Sequence, residues 1–209
     1  MSLTLLDLSR ALSAHRAGRS QSAERQLDDR LASAERDDWG ELEVRGVTHD
    51  SRAVAPGWLY VALPGRATHG ARFIPQAIAA GAVAIAAPIE EPRPTELSPE
   101  ALGATPVLWL SEPRLEMAWL SEWVWGRPLD HLQLIGVTGT NGKTTTTSLL
   151  AEILTLADGD VGLLGTIKAR GGGLEASSSM TTLESTALHE RFAGFVRAGH
   201  GIGPKQRLP

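Results

Sequence analysis

The 209-residue chain contains no cysteine. That excludes a disulfide framework, a thiol nucleophile and a cysteine-ligated metal, and it fits a reducing compartment. A basic surplus is also missing: the net charge is −4 and no lysine or arginine run occurs, so a nucleic-acid surface is not expected. Long apolar runs are absent. The longest apolar-rich stretch, 77–87, is alanine-rich and too short to span a bilayer, so no membrane association is expected. The N-terminus shows no apolar segment after basic residues and hence no signal peptide. These absences leave a soluble, cytoplasmic-type protein with enough apolar residues for one large or two small domains.

One stretch stands out among what is present. Leu132 to Val137 is an apolar run that reads as a buried parallel strand. From Thr144 to Leu156, residues Leu149, Leu150, Ile153, Leu154 and Leu156 recur at helical spacing. Between them lies Thr138-Gly-Thr-Asn-Gly-Lys-Thr144, a strand-to-helix turn. Its glycines let backbone N–H groups converge on an anion, and the helix N-terminus adds positive partial charge. A lysine can then reach outer phosphates and the next hydroxyl can hold Mg²⁺. The general phosphate-loop pattern places a glycine six residues before the lysine, where this chain has Val137.

The string Thr138-Gly-Thr-Asn-Gly-Lys-Thr-Thr145 resembles the ATP loop of the Mur ligases, which add amino acids to the UDP-muramoyl peptide of bacterial cell walls. Its Thr-Asn-Gly-Lys version is most similar to the MurE branch, which adds the third residue of the stem peptide; Asn141 sets it apart from the MurF branch. The resemblance implies ATP binding by Gly139, Thr140, Asn141, Gly142, Lys143, Thr144 and Thr145. It makes Lys143 the catalytic cation and Thr144 a Mg²⁺ ligand.

Towards the N-terminus, Leu3 to Leu12 reads as a short amphipathic helix capped by Thr4 or Ser2. Residues 16–40 read as a polar, solvated insertion. Strands are expected at 44–48, 58–63, 82–86 and 107–110, with helices at 70–81 and 113–126 and a proline-rich loop at 88–106. Trp119 and Trp123, one helical turn apart beside Met117 and Leu120, read as sheet-packing residues in preference to a base-stacking platform. Residues 127–131 form a linker, and a second strand at 161–167, a hairpin turn at 171–173 and a helix around Ala187 to Val196 follow.

The run from Val47 to Ala86 resembles the N-terminal domain of the MurE and MurF ligases, whose Asp-Ser-Arg loop and segment after Leu-Pro-Gly hold the uridine end of the substrate. Here these are Asp50-Ser51-Arg52 and Arg66-Ala-Thr68. The resemblance implies that Ser51 binds the uracil or ribose region, that His49 contributes mainly backbone, and that Asp50 and Arg52 brace the loop as an ion pair. Arg66 could meet a phosphate. Thr181 and Thr182 are similar to a MurE threonine pair that binds the UDP-sugar, with Leu183 where proline is common.

The expected fold class is therefore α/β: a small N-terminal α/β UDP-binding domain (1–130), then the first part of a phosphate-loop, parallel-sheet ATP-binding domain (131–209). After Gly199 the resemblance breaks. The family continues with a strand ending in a Mg²⁺-holding glutamate and then Ser-Ser-His, whereas this chain reads His200-Gly-Ile-Gly-Pro-Lys-Gln-Arg-Leu-Pro209. The expectation is the N-terminal portion of a monomeric ATP- and Mg²⁺-dependent ligase of peptidoglycan synthesis, acting through an acyl-phosphate and inactive alone. Its partners are a UDP-MurNAc-peptide and a free amino acid: lysine, diaminopimelate or ornithine. The alternatives are a non-catalytic UDP-sugar or nucleotide-binding module and a MurF-type fragment.

Overall fold

Short runs rich in β-branched, alanine and aromatic residues, each bounded by proline or glycine, build a four-stranded sheet. Its strands are β1 (Gly46–Thr48), β2 (Trp58–Val61), β3 (Ala82–Pro88) and β4 (Val107–Leu110), in the spatial order β1-β2-β3-β4. All neighbours are parallel, with Val47 opposite Leu59, Tyr60 opposite Ile85 and Ala86 opposite Leu108. The computed structural model describes residues 2–18, 37–65, 68–89, 97–158, 161–165, 169–171, 174–176 and 183–200. They fall into two compact units, Met1–Val124 and Trp125–Pro209.

A parallel sheet must be covered on both faces, and side chains alternate between them. Tyr60, Ala62, Ile85 and Ala87 point to one face and pack with Ile74 and Ala77 of α2 (Ile74–Ala79). Leu102 of the short helix α3 (Pro99–Leu102), inside the proline-rich stretch, packs there too. The alternate residues, among them Leu59, Val61, Ala84 and Leu110, are also fully buried. The remaining helices of this unit are α1 (Leu5–Ala17) and α4 (Pro113–Val124), which pack on each other, with α4 against β1. In α1 the buried stripe is Leu5, Leu8 and Leu12, and in α4 it is Met117 and Leu120. Thr4 is the cap of α1: its Oγ accepts from Asp7 N at 3.2 Å while the Asp7 carboxylate accepts from Thr4 N at 3.0 Å, a capping box.

Three expectations change here. The helix expected at 70–81 is a 3-10 turn, Gly70–Phe73, followed by α2, and Pro75 lies in the first turn of α2, where its missing N–H costs nothing. The polar stretch from Arg16 is not wholly solvated, because Arg16 and Trp39 are buried. Arg16 donates from Nε and Nη2 to the two carboxylate oxygens of Glu116 at 2.6 and 2.8 Å, and from Nη2 to the carbonyl of Trp109 at 2.7 Å. This bidentate pairing is what lets a guanidinium leave water. Trp119 lies 5.4 Å from Trp123, as packing predicts, but it also meets His15 of α1 at 5.0 Å.

Gly70 sits where backbone segments crowd. A Cβ there would lie 2.8 Å from both the N and the O of Leu63, and its carbonyl accepts from Tyr60 Oη at 3.0 Å. Backbone cannot rotate aside as a side chain can. Gly70→Ala should therefore destabilise the first unit by about 2 kcal/mol, read from urea midpoints at an unchanged slope.

The second unit is built differently. It contains α5 (Lys143–Asp158), a three-stranded antiparallel sheet of β5 (Leu163–Leu164), β6 (Ala169–Gly171) and β7 (Leu174–Ala176), and α6 (Ser185–Arg197). β6 and β7 pair antiparallel on either side of the expected turn at 171–173, of which residues 172 and 173 lie outside the described residues. The apolar run 132–137 does not form the expected buried strand. None of the described strands pairs with it, and Leu134 and Ile135 are 53% and 57% exposed. A parallel strand takes its hydrogen bonds from neighbouring strands, and here β5 pairs with β6 instead. Ile153 and Leu156 of α5 are likewise 61% and 89% exposed. Leu132, by contrast, is buried. A cavity of about 350 Å³ lies within this unit, lined by residues 132–136, one side of α5, Val161–Leu164 and Phe192 and Phe195 of α6.

Candidate functional site

In parallel sheets, ligands bind outside the carboxyl ends of the strands. In the first unit the segments leaving those ends are 49–53 after β1 and 62–70 after β2. Residues Ser51–Ala53 form a 3-10 turn that the Asp50 side chain caps by accepting from Arg52 N at 3.0 Å. Arg52 also donates from Nε and Nη2 to the Asp50 carboxylate at 2.9 and 2.7 Å. The expected brace is present. These bonds hold the Asp50 carboxyl below its usual range and push the Arg52 guanidinium up. Ser51 is 8% exposed and donates from Oγ to Oε1 of Gln76, on α2, at 3.1 Å. His49 beside it is half-buried.

On β2, the Tyr60 hydroxyl is pushed up to about 12 by burial and by the Asp50 charge. It thus stays protonated and ties β2 to Gly70. The bridge between Pro64 and His69 closes the second loop, and His69 Nδ1 accepts from Ala71 N at 3.0 Å. Arg66, inside that loop, lies outside the described residues, as do Thr181 and Thr182. The sequence reading missed Gln76. Its position in a short helix facing the Asp-Ser-Arg loop is a tertiary fact with no local signature.

In the second unit, Gly139 and Gly142 take φ values of 150° and 80°, open to glycine and strained for other residues. A Cβ on Gly142 would meet nothing within 4 Å. Residues 138–142 are exposed, and α5 begins at Lys143, so the first-turn N–H groups of the helix face the loop. Lys143 Nζ folds back to donate to the carbonyl of Gly139 and, at 3.4 Å, to that of Thr140. An ammonium resting on loop carbonyls can be recruited by an arriving phosphate. Thr147 donates to the carbonyl of Lys143 at 2.9 Å, which pins the helix start. Left-handed glycines, an exposed loop, a helix start and a lysine over it fit a nucleotide phosphate chain. Thr144, the next residue of α5, is exposed, and no cluster of three or more His, Asp or Glu side chains suited to a metal occurs among the described residues.

Two family profiles match the chain. The one described as "Mur ligase family, catalytic domain" covers residues 43–105, and "Mur ligase middle domain" covers 137–203, together more than half its length. The chain belongs to the Mur ligase family. Each profile contains one of the two sites: Ser51 and Gln76 lie in the first, and the Lys143 loop lies in the second. A UDP-N-acetylmuramoyl-L-alanyl-D-glutamate–2,6-diaminopimelate ligase from Streptomyces coelicolor is 42% identical over 168 residues, 80% of this chain and 32% of the relative. A ligase of the same description from Chlorobaculum tepidum is 42% identical over 182 residues, 83% of this chain and 34% of that protein. This Mur ligase chain thus spans about a third of the length of the curated relatives it matches. One solved structure, also described as that ligase, shares the fold with a TM-score of 0.62 at 20% identity, covering 95% of this chain and 34% of the other. Among the described residues, no helix is long and apolar enough to cross a membrane.

Proposed function

We propose that this chain carries the UDP-binding and ATP-binding portions of a ligase that joins diaminopimelate to UDP-N-acetylmuramoyl-L-alanyl-D-glutamate. The observation that carries this is the Thr138–Thr145 loop, with Lys143 over its carbonyls at the start of α5. The diaminopimelate specificity rests on the description shared by the relatives at 42% identity. In the reaction, the γ-phosphoryl of ATP passes to the substrate carboxylate, giving an acyl-phosphate and ADP; the amine then attacks the acyl carbon and phosphate leaves. Lys143 supplies positive charge to the phosphates, and the N–H groups of the loop and of the first turn of α5 hold their oxygens. Thr144 is the residue that would hold Mg²⁺, which when bound would supply positive charge to the phosphates. Ser51 and His49 belong to the uridine end of the substrate, Arg66 to its diphosphate, and Thr181 and Thr182 to its sugar.

The test is ligand-dependent melting of the full chain. The UDP-muramoyl dipeptide and MgATP should each raise the melting temperature with increasing concentration, by mass action on the folded state. UTP in place of ATP and UDP-glucose in place of the dipeptide should shift it less. If neither ligand moves the melt at concentrations up to about 1 mM, where a site of ordinary enzyme affinity would be filled, the proposal is wrong.

A further inference from the structure

We infer that Gln76 sets the hydrogen-bonding polarity of Ser51, and through it the choice of pyrimidine at the carboxyl end of β1. This rests on the proposed binding of a uridine diphosphate by the first unit. A serine hydroxyl has one proton and two lone pairs. The Ser51 proton is committed to Oε1 of Gln76 at 3.1 Å, so towards any further partner Ser51 can only accept. Ser51 is 8% exposed, which makes it a nearly desolvated acceptor that calls for a donor. Uracil offers one, its ring N3–H, between two carbonyls. Cytosine presents a bare N3 lone pair at the same place, and two lone pairs facing each other leave both unsatisfied.

The geometry favours a positioning role for Gln76 over ligand contact. It is anchored on α2, whose Ile74 and Ala77 are fully buried, so the amide arrives from a rigid element. The turn that carries Ser51 is separately fixed by the Asp50–Arg52 pair and by the Thr48 hydroxyl, which accepts from Asp50 N at 3.1 Å. Two anchored elements therefore meet at one hydrogen bond. Removing the amide would leave the backbone of Ser51 in place while freeing its hydroxyl to rotate and donate.

The experiment measures the affinities of the full chain for UDP and CDP by calorimetric titration, in the parent and in two variants. The parent should prefer UDP by about tenfold or more, the factor expected for one unmade hydrogen bond at a desolvated site. Gln76→Leu should bring the two affinities to within about threefold, with most of the change in CDP, because a freed hydroxyl can serve either pyrimidine. Gln76→Glu, which can only accept, should restore the preference for UDP. A merely structural role would weaken both nucleotides together and leave their ratio alone. An unchanged ratio in Gln76→Leu overturns this inference and leaves the proposed function standing. A parent chain that binds neither nucleotide overturns both.

Discussion

Arg16→Ala should destabilise the first unit by about 3–5 kcal/mol, among the largest effects of any single substitution in it. The side chains of Arg16 and Glu116 are 9% and 3% exposed, so removing either strands a charge away from water. Glu116 also accepts from Ser111 N at 2.9 Å and Ser111 Oγ at 2.8 Å, and the Arg16 guanidinium reaches the carbonyl of Trp109 as well. The cluster therefore ties α1 to the end of β4 and the start of α4, across 100 residues of sequence. The double variant Arg16→Met, Glu116→Leu should recover most of the loss, because it deletes both charges and fills the space. Denaturant unfolding of the four proteins in the cycle measures this. A single variant within about 1 kcal/mol of the parent, the range of surface ion pairs, would refute the assignment.

The same cluster gives the stability a pH dependence of known sign. Burial by itself pushes the Glu116 carboxyl up, but the hydrogen bonds and charge of Arg16, with the two bonds from Ser111, outweigh it and hold the group below its ordinary value of 4.5. A carboxyl with a lower pKa folded than unfolded stabilises the fold fully above the unfolded value. That contribution is lost as pH falls through the folded value. Stability of the parent should thus decline with acid below about pH 4.5, and the double variant should decline less.

Lys143→Ala should weaken ATP binding by about a hundredfold, the scale of a charge-assisted hydrogen bond to phosphate. Its effect on folding should be slight, within about 0.5 kcal/mol. Among the described residues, the ammonium serves the carbonyls of Gly139 and Thr140, which lie in an exposed loop and can turn to water. Lys143→Arg should not rescue binding. A planar guanidinium is larger than the point charge that this loop holds over its own carbonyls. Titration with a non-hydrolysable ATP analogue, paired with thermal melts, separates the two quantities. An affinity within about threefold of the parent would remove Lys143 from the phosphate site.

Much of the first unit could be read without coordinates, because its signals are local. Pro56-Gly57 and Pro64-Gly65 bracket β2, Gly81 ends the stretch before β3, and Thr4 with Asp7 writes a cap into four residues. The turn before α5 was legible for the same reason: Gly139 and Gly142 take positive φ, and the helix begins at the next residue, Lys143. The Asp50–Arg52 brace spans two residues and was legible too.

The rest depends on which distant segments meet. Arg16 reads as the first residue of a polar stretch, since charge in a helix normally faces water, and only the arrival of Glu116 makes its burial affordable. Gln76 is exposed in the structure, as a helical glutamine is expected to be, and only the placement of α2 sets its amide against Ser51. The run 132–137 has the composition of a central strand, but composition cannot supply the neighbours whose backbone groups a strand needs. The sequence by itself thus determined the α/β class of the first unit, its turns and the glycine-bearing turn before α5, all matters of dihedral preference and short-range hydrogen bonding. Tertiary structure alone decided which charges are buried, which hydroxyl is left as an acceptor and which apolar run pairs, because those are settled by partners far away in the chain.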